Sequence, residues 1–544
     1  MAIRVAQAVG RALVDSGVTQ VFGVVGSGNF HVTAAMLEAG AQFVAARHEG
    51  GAATMADAYA RTAGEPAALS VHQGCGLTNA LTGIAEAAKS RTPLVVLAPE
   101  AISLTSNFHV DQDALAQAVG AVSIRILDPT TAAQEVAAAV AYARDERRTV
   151  VLNLPVAVQD LELHQDRAPA QVGRYVHRAV QDGDLSRLTA ALGAARRPVF
   201  VAGRGARSPQ ARDALVELAE RCGALLATSA VAKGLFHADP WCLDVAGGFA
   251  SPLAAELISG ADLIVGWGCT LNMWTMRHGR LIAPDAVVVQ VDDTPEALGV
   301  YRELSFGVVG DVAATARAAL PLVEGDNGSY RTEEVARRLA TELRWRDVPF
   351  TDTSTAEQID PRTLTIALDD MLPHERVVAV DSGNFMGYPS MYLEVPDELG
   401  FCFTQAFQSI GLGLATAIGA AIARPDRLPV AALGDGGALM GAAELDTVRR
   451  LGLPMLVVVY NDDAYGAEVH HFADEPDLST VTFPPTDIAA IGAGYGFETA
   501  TVRTVADLEP VRQWLAGPRE RPMLVDAKVV SDEPAWWLAE AFGH

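Results

Sequence analysis

Lysine is nearly missing from this chain: of 544 residues, only Lys89, Lys233 and Lys528 are lysines. None follows a Gly-x-x-x-x-Gly loop, so P-loop nucleotide hydrolysis and pyridoxal phosphate chemistry are poorly supported. Cysteine is scarce too. Cys75, Cys222, Cys242, Cys269 and Cys402 are scattered, with no Cys-x-x-Cys pair. They read as buried thiols in a reducing compartment, not as a disulfide frame or a zinc site. Positive charge is outweighed, 41 basic against 66 acidic residues for a net charge of −25, and no basic stripe is evident, so nucleic acid is not an expected partner. No apolar run approaches membrane-spanning length, and no membrane partner is expected. The amino terminus, where Arg4, Arg11 and Asp15 interrupt the apolar positions, reads as an amphipathic helix and not a signal peptide. A cytoplasmic protein is the simplest expectation.

What the chain does have is a globular composition, 50% hydrophobic and 20% charged, over a length that suggests three domains. Two polar stretches, Gln159 to Gln181 and Glu324 to Asp360, read as connectors, the second with a helix embedded near Glu333 to Trp345. They divide the chain into blocks at 1–165, 183–325 and 360–535. Each block alternates strands and helices, which predicts an α/β protein of three Rossmann-like domains with mostly parallel sheets. The first and third blocks are alike. Ser27-Gly28-Asn29-Phe30 recurs as Ser382-Gly383-Asn384-Phe385, followed by small-residue helices at Ala52 to Arg61 and Ala415 to Arg424. The same order of elements around the repeat makes duplication the better reading.

The most informative segment is Gly434-Asp435-Gly436, followed about two dozen residues later by Asn461-Asp462. The apolar runs Leu428 to Leu433 and Leu453 to Tyr460 look like buried parallel strands, with a helix between them from Glu444 to Leu451. Ligands of such a unit sit at the carboxyl ends of the strands, so Asp435 and Asp462 lie at one edge. There they could hold a hard cation such as Mg²⁺ bridging a diphosphate, which glycines and a helix amino terminus can cradle. Turn residues between strands are the plain alternative.

This pattern resembles the thiamine-diphosphate signature of the acetolactate synthase, pyruvate decarboxylase and benzoylformate decarboxylase superfamily. The resemblance covers nearly the whole chain and implies three domains: pyrimidine-binding, middle and diphosphate-binding. It implies Asp435, Asp462 and the carbonyl of Ala464 as metal ligands, with Gly434, Gly436, Gly437, Tyr465 and Gly466 completing the diphosphate site. Asp462 replaces the usual second Asn; its added charge is expected to make binding more Mg²⁺-dependent. Glu49, in Arg47-His48-Glu49-Gly50-Gly51-Ala52, matches the glutamate that hydrogen-bonds N1′ of the aminopyrimidine and starts proton removal from C2 of the thiazolium. Burial raises a carboxyl's pKa in a way that suits such a shuttle, although acids at helix starts are common for dipole reasons alone. Ile410 matches the residue under the bend of the cofactor, and the Gln408 carbonyl the acceptor of its 4′-amino group.

On the substrate side, Ser27 and His72 resemble the benzoylformate decarboxylase pair that binds the 2-oxo-acid carboxylate and relays protons, with Asn29 beside them. Glu468 falls where pyruvate and indolepyruvate decarboxylases keep an active-site glutamate, and His109 in the loop where decarboxylases carry His. Glu468, His470 and His471 should share one short helix. Glu49, His72, His109 and Glu468 are therefore the catalytic candidates, and Ser27, Asn29, His72, His109, Glu468 and His471 the substrate candidates. In the middle block, Met273, Trp274, Arg277 and His278 could shape the pocket or simply pack. Gly203-Arg204-Gly205-Ala206 lacks a third glycine, so FAD, found in some relatives, is weakly supported.

The resemblance implies an enzyme using thiamine diphosphate and Mg²⁺ to decarboxylate a 2-oxo acid to an enamine, which is then protonated or ligated to an aldehyde or second 2-oxo acid. An acetolactate-synthase-type transferase is the alternative. A rival of another class is a ligand-binding relative whose site has decayed. A nicotinamide dehydrogenase is disfavoured, because Val24-Val25-Gly26-Ser27-Gly28 lacks the full glycine fingerprint. The family's geometry places Glu49 of one subunit on cofactor anchored by another, so a homodimer or homotetramer is expected.

Overall fold

The computed structural model describes residues 3–163, 178–323 and 330–538. It contains three six-stranded sheets in which every pairing is parallel. The first is built from β1 (Gln20–Gly23), β2 (Gln42–Ala45), β3 (Ala67–Ser70), β4 (Leu94–Glu100), β5 (Val122–Arg125) and β6 (Thr149–Pro155). The second holds β7 (Pro198–Ala202), β8 (Leu225–Thr228), β9 (Cys242–Val245), β10 (Leu263–Trp267), β11 (Val287–Asp292) and β12 (Phe306–Val309). The third holds β13 (Arg376–Val380), β14 (Phe401–Phe403), β15 (Leu428–Gly434), β16 (Leu456–Asn461), β17 (Glu498–Val502) and β18 (Met523–Lys528).

Strand order exposes the duplication. The first sheet runs β2-β1-β3-β4-β6-β5 and the third β14-β13-β15-β16-β18-β17, the same permutation, whereas the middle sheet runs β9-β8-β7-β10-β11-β12. The middle order is that of a doubly wound dinucleotide-type sheet. Central strands such as β4 and β16 are buried at every residue, which is why they read as unbroken apolar runs.

Six helical segments matter for the site: α1 (Glu49–Ala63), α2 (Cys75–Lys89), α3 (Gly413–Ala423), α4 (Asp435–Met440), α5 (Leu445–Leu451) and α6 (Gly466–His471). The small residues of α1 and α3 have a specific purpose: the two helices pack on each other. Ala52, Ala53, Met55 and Ala56 share one core with Leu414, Ala417, Ile418 and Ala421. A Cβ on Gly419 would lie 2.2 Å from the Met55 carbonyl oxygen, so the backbones meet where a side chain could not fit. Domains one and three of a single chain are thereby fused through a common core.

Some expected bounds move. The strand expected from Leu453 starts at Leu456, because Leu453 and Met455 donate within a turn and Pro454 has no N–H to donate. The helix expected from Glu444 starts at Leu445, and the one expected to reach Trp345 ends at Glu342. Most of the first connector, and 324–329 of the second, lie outside the described residues. Among the described residues no helix is long and apolar enough to cross a membrane.

Candidate active site

At the carboxyl edge of the third sheet, β15 and β16 run side by side and end at Gly434 and Asn461, which brings Asp435 and Asp462 together. Both are withdrawn from solvent. Burial, and then the charge of Asp462, pushes the Asp435 carboxyl up to about 7, and burial raises Asp462 as well. Two facing acids that resist joint ionisation form a site that a divalent cation would relieve. Among the described residues no cluster of three or more His, Cys, Asp or Glu side chains could hold a metal. The two carboxylates offer oxygen donors only, and the Ala464 carbonyl, two residues past Asp462 in the chain, could add another, a donor set that would suit Mg²⁺ completed by phosphate and water.

The turn after β16 is shaped by its own polar groups. Asn461 accepts from the Asp463 N–H (3.0 Å) and donates to Asp526 (2.8 Å), and Asp463 takes a left-handed φ of 52°. Gly436 is fixed by contact: a Cβ there would lie 2.5 Å from the Tyr465 ring. Gly466, at the start of α6, leaves room for the Asp462 carboxylate, 2.4 Å from where its Cβ would be. Beside it, the buried side-chain oxygen of Asn384 has no hydrogen-bond partner among the described residues. An orphaned buried acceptor next to two acids fits a site built to receive a polar, metal-bearing ligand.

The loop after β14 carries Gln408 and Ile410. Gln408 has φ 60°, a strained value for a residue with a Cβ. Carboxylates hold it there from both sides. Asp381, at the end of β13, accepts from the N–H groups of Gly411 (3.0 Å) and Leu412 (3.3 Å); burial pushes its pKa up to about 6 against these bonds. Glu86 of α2 accepts from the N–H groups of Ala406 (3.1 Å) and Phe407 (2.6 Å). Sequence reasoning missed Asp381, Glu86 and Asn384. For Asn384 the signal was available in the repeated Ser-Gly-Asn-Phe; for Glu86 there was none, since its partners are 320 and 321 residues away.

In the first domain, Glu49 is the first residue of α1, buried, and its Oε2 accepts from Asn79 Nδ2 at 3.0 Å. The His48 ring caps the helix by accepting from the Gly50 N–H. Ser27, His72 and the Phe108-His109 loop gather at the same sheet edge: His72 Nδ1 accepts from the Gly28 N–H (3.3 Å), the His72 ring meets Phe108 edge-on, and His109 Nδ1 faces the Ala101 carbonyl at 2.9 Å. Asn29 behaves differently from its place among the substrate candidates. It is fully buried, accepts from the Gly26 N–H, and donates to Val24 O and Ser70 Oγ, so its amide shapes the turn.

A cavity of about 940 Å³ lies between all three domains; Gln408, Ile410 and Glu468 line it with Met273 and Trp274 of the middle domain and Arg91 of the first. A second of about 320 Å³ lies beside Asp435, Gly436 and Tyr465. Neither is lined by Glu49, His72, His109 or His471. His470 lies against Ser531, and burial lowers its pKa. Arg277 is held away from the large cavity, donating to the Gly247 and Ala250 carbonyls and lying over the Trp536 ring. Gly203 and Gly205 are packed against Gly268, so those glycines serve a loop–loop contact.

Glu49 and Gln408 of one chain are not brought together. Glu86, which grips the Gln408 loop, is itself gripped by Arg61 (2.8 Å), twelve residues beyond Glu49 on α1. At 1.5 Å per residue those anchor points lie ~18 Å apart along the helix.

Three family models match the chain. They are described as the thiamine pyrophosphate enzyme N-terminal TPP binding domain (residues 3–121), its central domain (185–319) and its C-terminal TPP binding domain (381–527). Among similar proteins is a sulfoacetaldehyde acetyltransferase of Castellaniella defragrans, 28% identical over 532 residues, covering 92% of this chain and 88% of the relative. A probable 2-ketoarginine decarboxylase, AruI, of Pseudomonas aeruginosa is 29% identical over 524 residues, covering 93% and 90%. A putative acetolactate synthase large subunit, IlvB2, of Mycobacterium tuberculosis is 28% identical over 516 residues, covering 90% and 92%.

Proposed function

The chain belongs to the thiamine pyrophosphate enzyme family, and on that premise we propose that it is a thiamine-diphosphate- and Mg²⁺-dependent enzyme that cleaves the bond next to the carbonyl of a 2-oxo acid and passes the fragment to a proton or a second carbonyl. The observation that carries this reading is the pair of facing acids, buried Asp435 and half-buried Asp462, at one sheet edge beside the strained Gln408 loop. When bound, the cofactor supplies an electron sink next to the carbonyl carbon. Asp435, Asp462 and the Ala464 carbonyl would hold Mg²⁺. The Gln408 carbonyl would accept from the 4′-amino group, with Ile410 under the bend. Glu49 would hold and return the proton at N1′. Ser27 and His72 would orient the substrate carboxylate, with His109 and Glu468 as proton donors.

Because Glu49 sits far along α1 from its own chain's Gln408, this reading requires at least a dimer, each site combining the first domain of one subunit with the third of another. The size of the cavity under Gln408 and Glu468 favours a second reading, transfer to an acceptor carbonyl, in keeping with relatives named acetyltransferase and acetolactate synthase.

The test is CO₂ release from a panel of 2-oxo acids with thiamine diphosphate and Mg²⁺, each with and without an aldehyde. Release without acceptor supports the decarboxylase; release that rises with acceptor, and a ligated product, supports the transferase. No release from any member, in protein that binds the cofactor, would favour a relative that only binds a ligand. A catalytically competent monomer would overturn the shared site.

A further inference from the structure

The duplicated domains hold each other's cofactor loops by the same device. In the third domain, Glu444 lies between α4 and α5, in the helical segment that follows the third strand of its sheet. Its Oε1 accepts from two successive backbone N–H groups of the first domain, Arg47 (3.0 Å) and His48 (3.0 Å), which immediately precede Glu49. In the first domain, Glu86 lies on α2, which likewise follows the third strand of its sheet, and accepts from Ala406 and Phe407, which immediately precede Gln408. Both recipient pairs lie just after the second strand of their sheets, β2 and β14. Donor and recipient therefore occupy matching places, exchanged between the two halves.

Each glutamate is buried and separately anchored. Arg61 and Ser90 hold Glu86, and Arg61 is also paired with buried Asp57. Glu444 accepts from Thr447 Oγ1 at 2.6 Å. It also explains the second glycine of Gly50-Gly51: a Cβ on Gly51 would lie 2.5 Å from Glu444 Oε1. Two glycines early in a helix weaken it, and here the empty space holds a carboxylate. A bond from a backbone N–H to a buried carboxylate is among the stronger kinds and leaves a costly orphan when removed.

We propose that Glu86 and Glu444 are reciprocal positioning residues, Glu444 setting the Glu49 loop and Glu86 the Gln408 loop. This rests on the function proposed above. Because Glu49 and Gln408 of one chain would serve different sites, one interdomain contact would tie two sites together.

The experiment uses full-length protein with thiamine diphosphate and Mg²⁺ as the probe and needs no substrate. It compares Glu444→Gln, Glu86→Gln and Gly51→Ala, the last displacing the Glu444 carboxylate without removing it. Three readouts are taken: backbone hydrogen exchange by mass spectrometry, cofactor Kd by titration calorimetry, and the rate of C2-proton exchange of bound cofactor by quenched NMR. Glu444→Gln and Gly51→Ala are expected to speed amide exchange at 47–51 and slow C2 exchange about tenfold with Kd within about twofold. Glu86→Gln is expected to speed amide exchange at 405–411 and to weaken cofactor binding about tenfold. Unchanged loops in folded variants, or the same profile from Glu86→Gln as from Glu444→Gln, would overturn the proposal. Wild-type protein that binds no cofactor would instead sink the underlying function.

Discussion

Ser-Gly-Asn-Phe occurs twice, at matching places in two sheets of identical strand order, and the two copies have opposite fates. In the first domain the Asn29 side chain is hydrogen-bonded to Val24 and Gly26 of its turn and to Ser70 of β3, and Phe30 is 56% exposed. In the third, Phe385 is buried, stacked on Tyr460 and close to Gly434, while Asn384 keeps a buried oxygen that has no partner among the described residues, beside Asp462. The same four residues thus close a turn in one domain and open a polar socket in the other. After duplication the topology was retained and the edges diverged. In the proposed function one edge presents Glu49, His72 and His109, groups suited to moving protons; the other presents glycines, paired acids and a strained loop, groups suited to holding an anion and its metal.

The largest expected break in this comparison is Glu49→Gln. If the first edge moves protons and the third only holds, C2 exchange of bound cofactor falls 100-fold or more while cofactor affinity stays within a few-fold, since general acid–base groups contribute about 10²–10⁴. Equal loss of both would erase the division of labour. Next is the shared core. Gly419→Ala drives a methyl into the Met55 carbonyl, so a loss of about 3 kcal/mol is expected from denaturant unfolding, the upper end for overpacking. A smaller loss would mean that α1 and α3 can separate cheaply.

A third test sharpens the third-domain edge. Asp381 has its pKa raised from 3.8 to about 6 by burial, so between those values the native state holds a proton that the unfolded chain has released. Its contribution is then fully present at low pH and is lost as pH rises through the window. Stability of wild-type protein should fall with pH more steeply than that of Asp381→Asn, by at most about 3 kcal/mol; parallel curves would remove the effect. The smallest expected change is Asp462→Asn, which removes one of two facing charges. Mg²⁺ affinity measured with cofactor present should weaken about tenfold, and tighter Mg²⁺ binding would contradict the reading of Asp462 as a ligand.

Much of this was legible in the amino-acid order because it is local. Asp435 and Asp462 sit at the ends of apolar runs, and period and burial place such ends at one edge of a parallel sheet. Glu49 precedes a small-residue helix in a single stretch of chain. The small residues of α1 and α3 were also visible, but not their reason, which is that each is the other's packing partner. The partners of Asn29, here Val24, Gly26 and Ser70, were not legible, because a side chain's hydrogen bonds depend on how the chain closes around it.

The chain's order alone therefore determined the three α/β units, the duplication and the edge on which the acids and glycines fall, since these follow from hydrophobic periodicity and turn chemistry. Tertiary structure alone decided that Glu86 meets the loop of Gln408, that Glu444 meets the loop of Glu49, and that Glu49 and Arg61, the anchor behind the Gln408 loop, lie toward opposite ends of α1. Those pairings span 320 to 397 residues, and no local pattern encodes a contact whose two halves are joined only by packing two domains on one core.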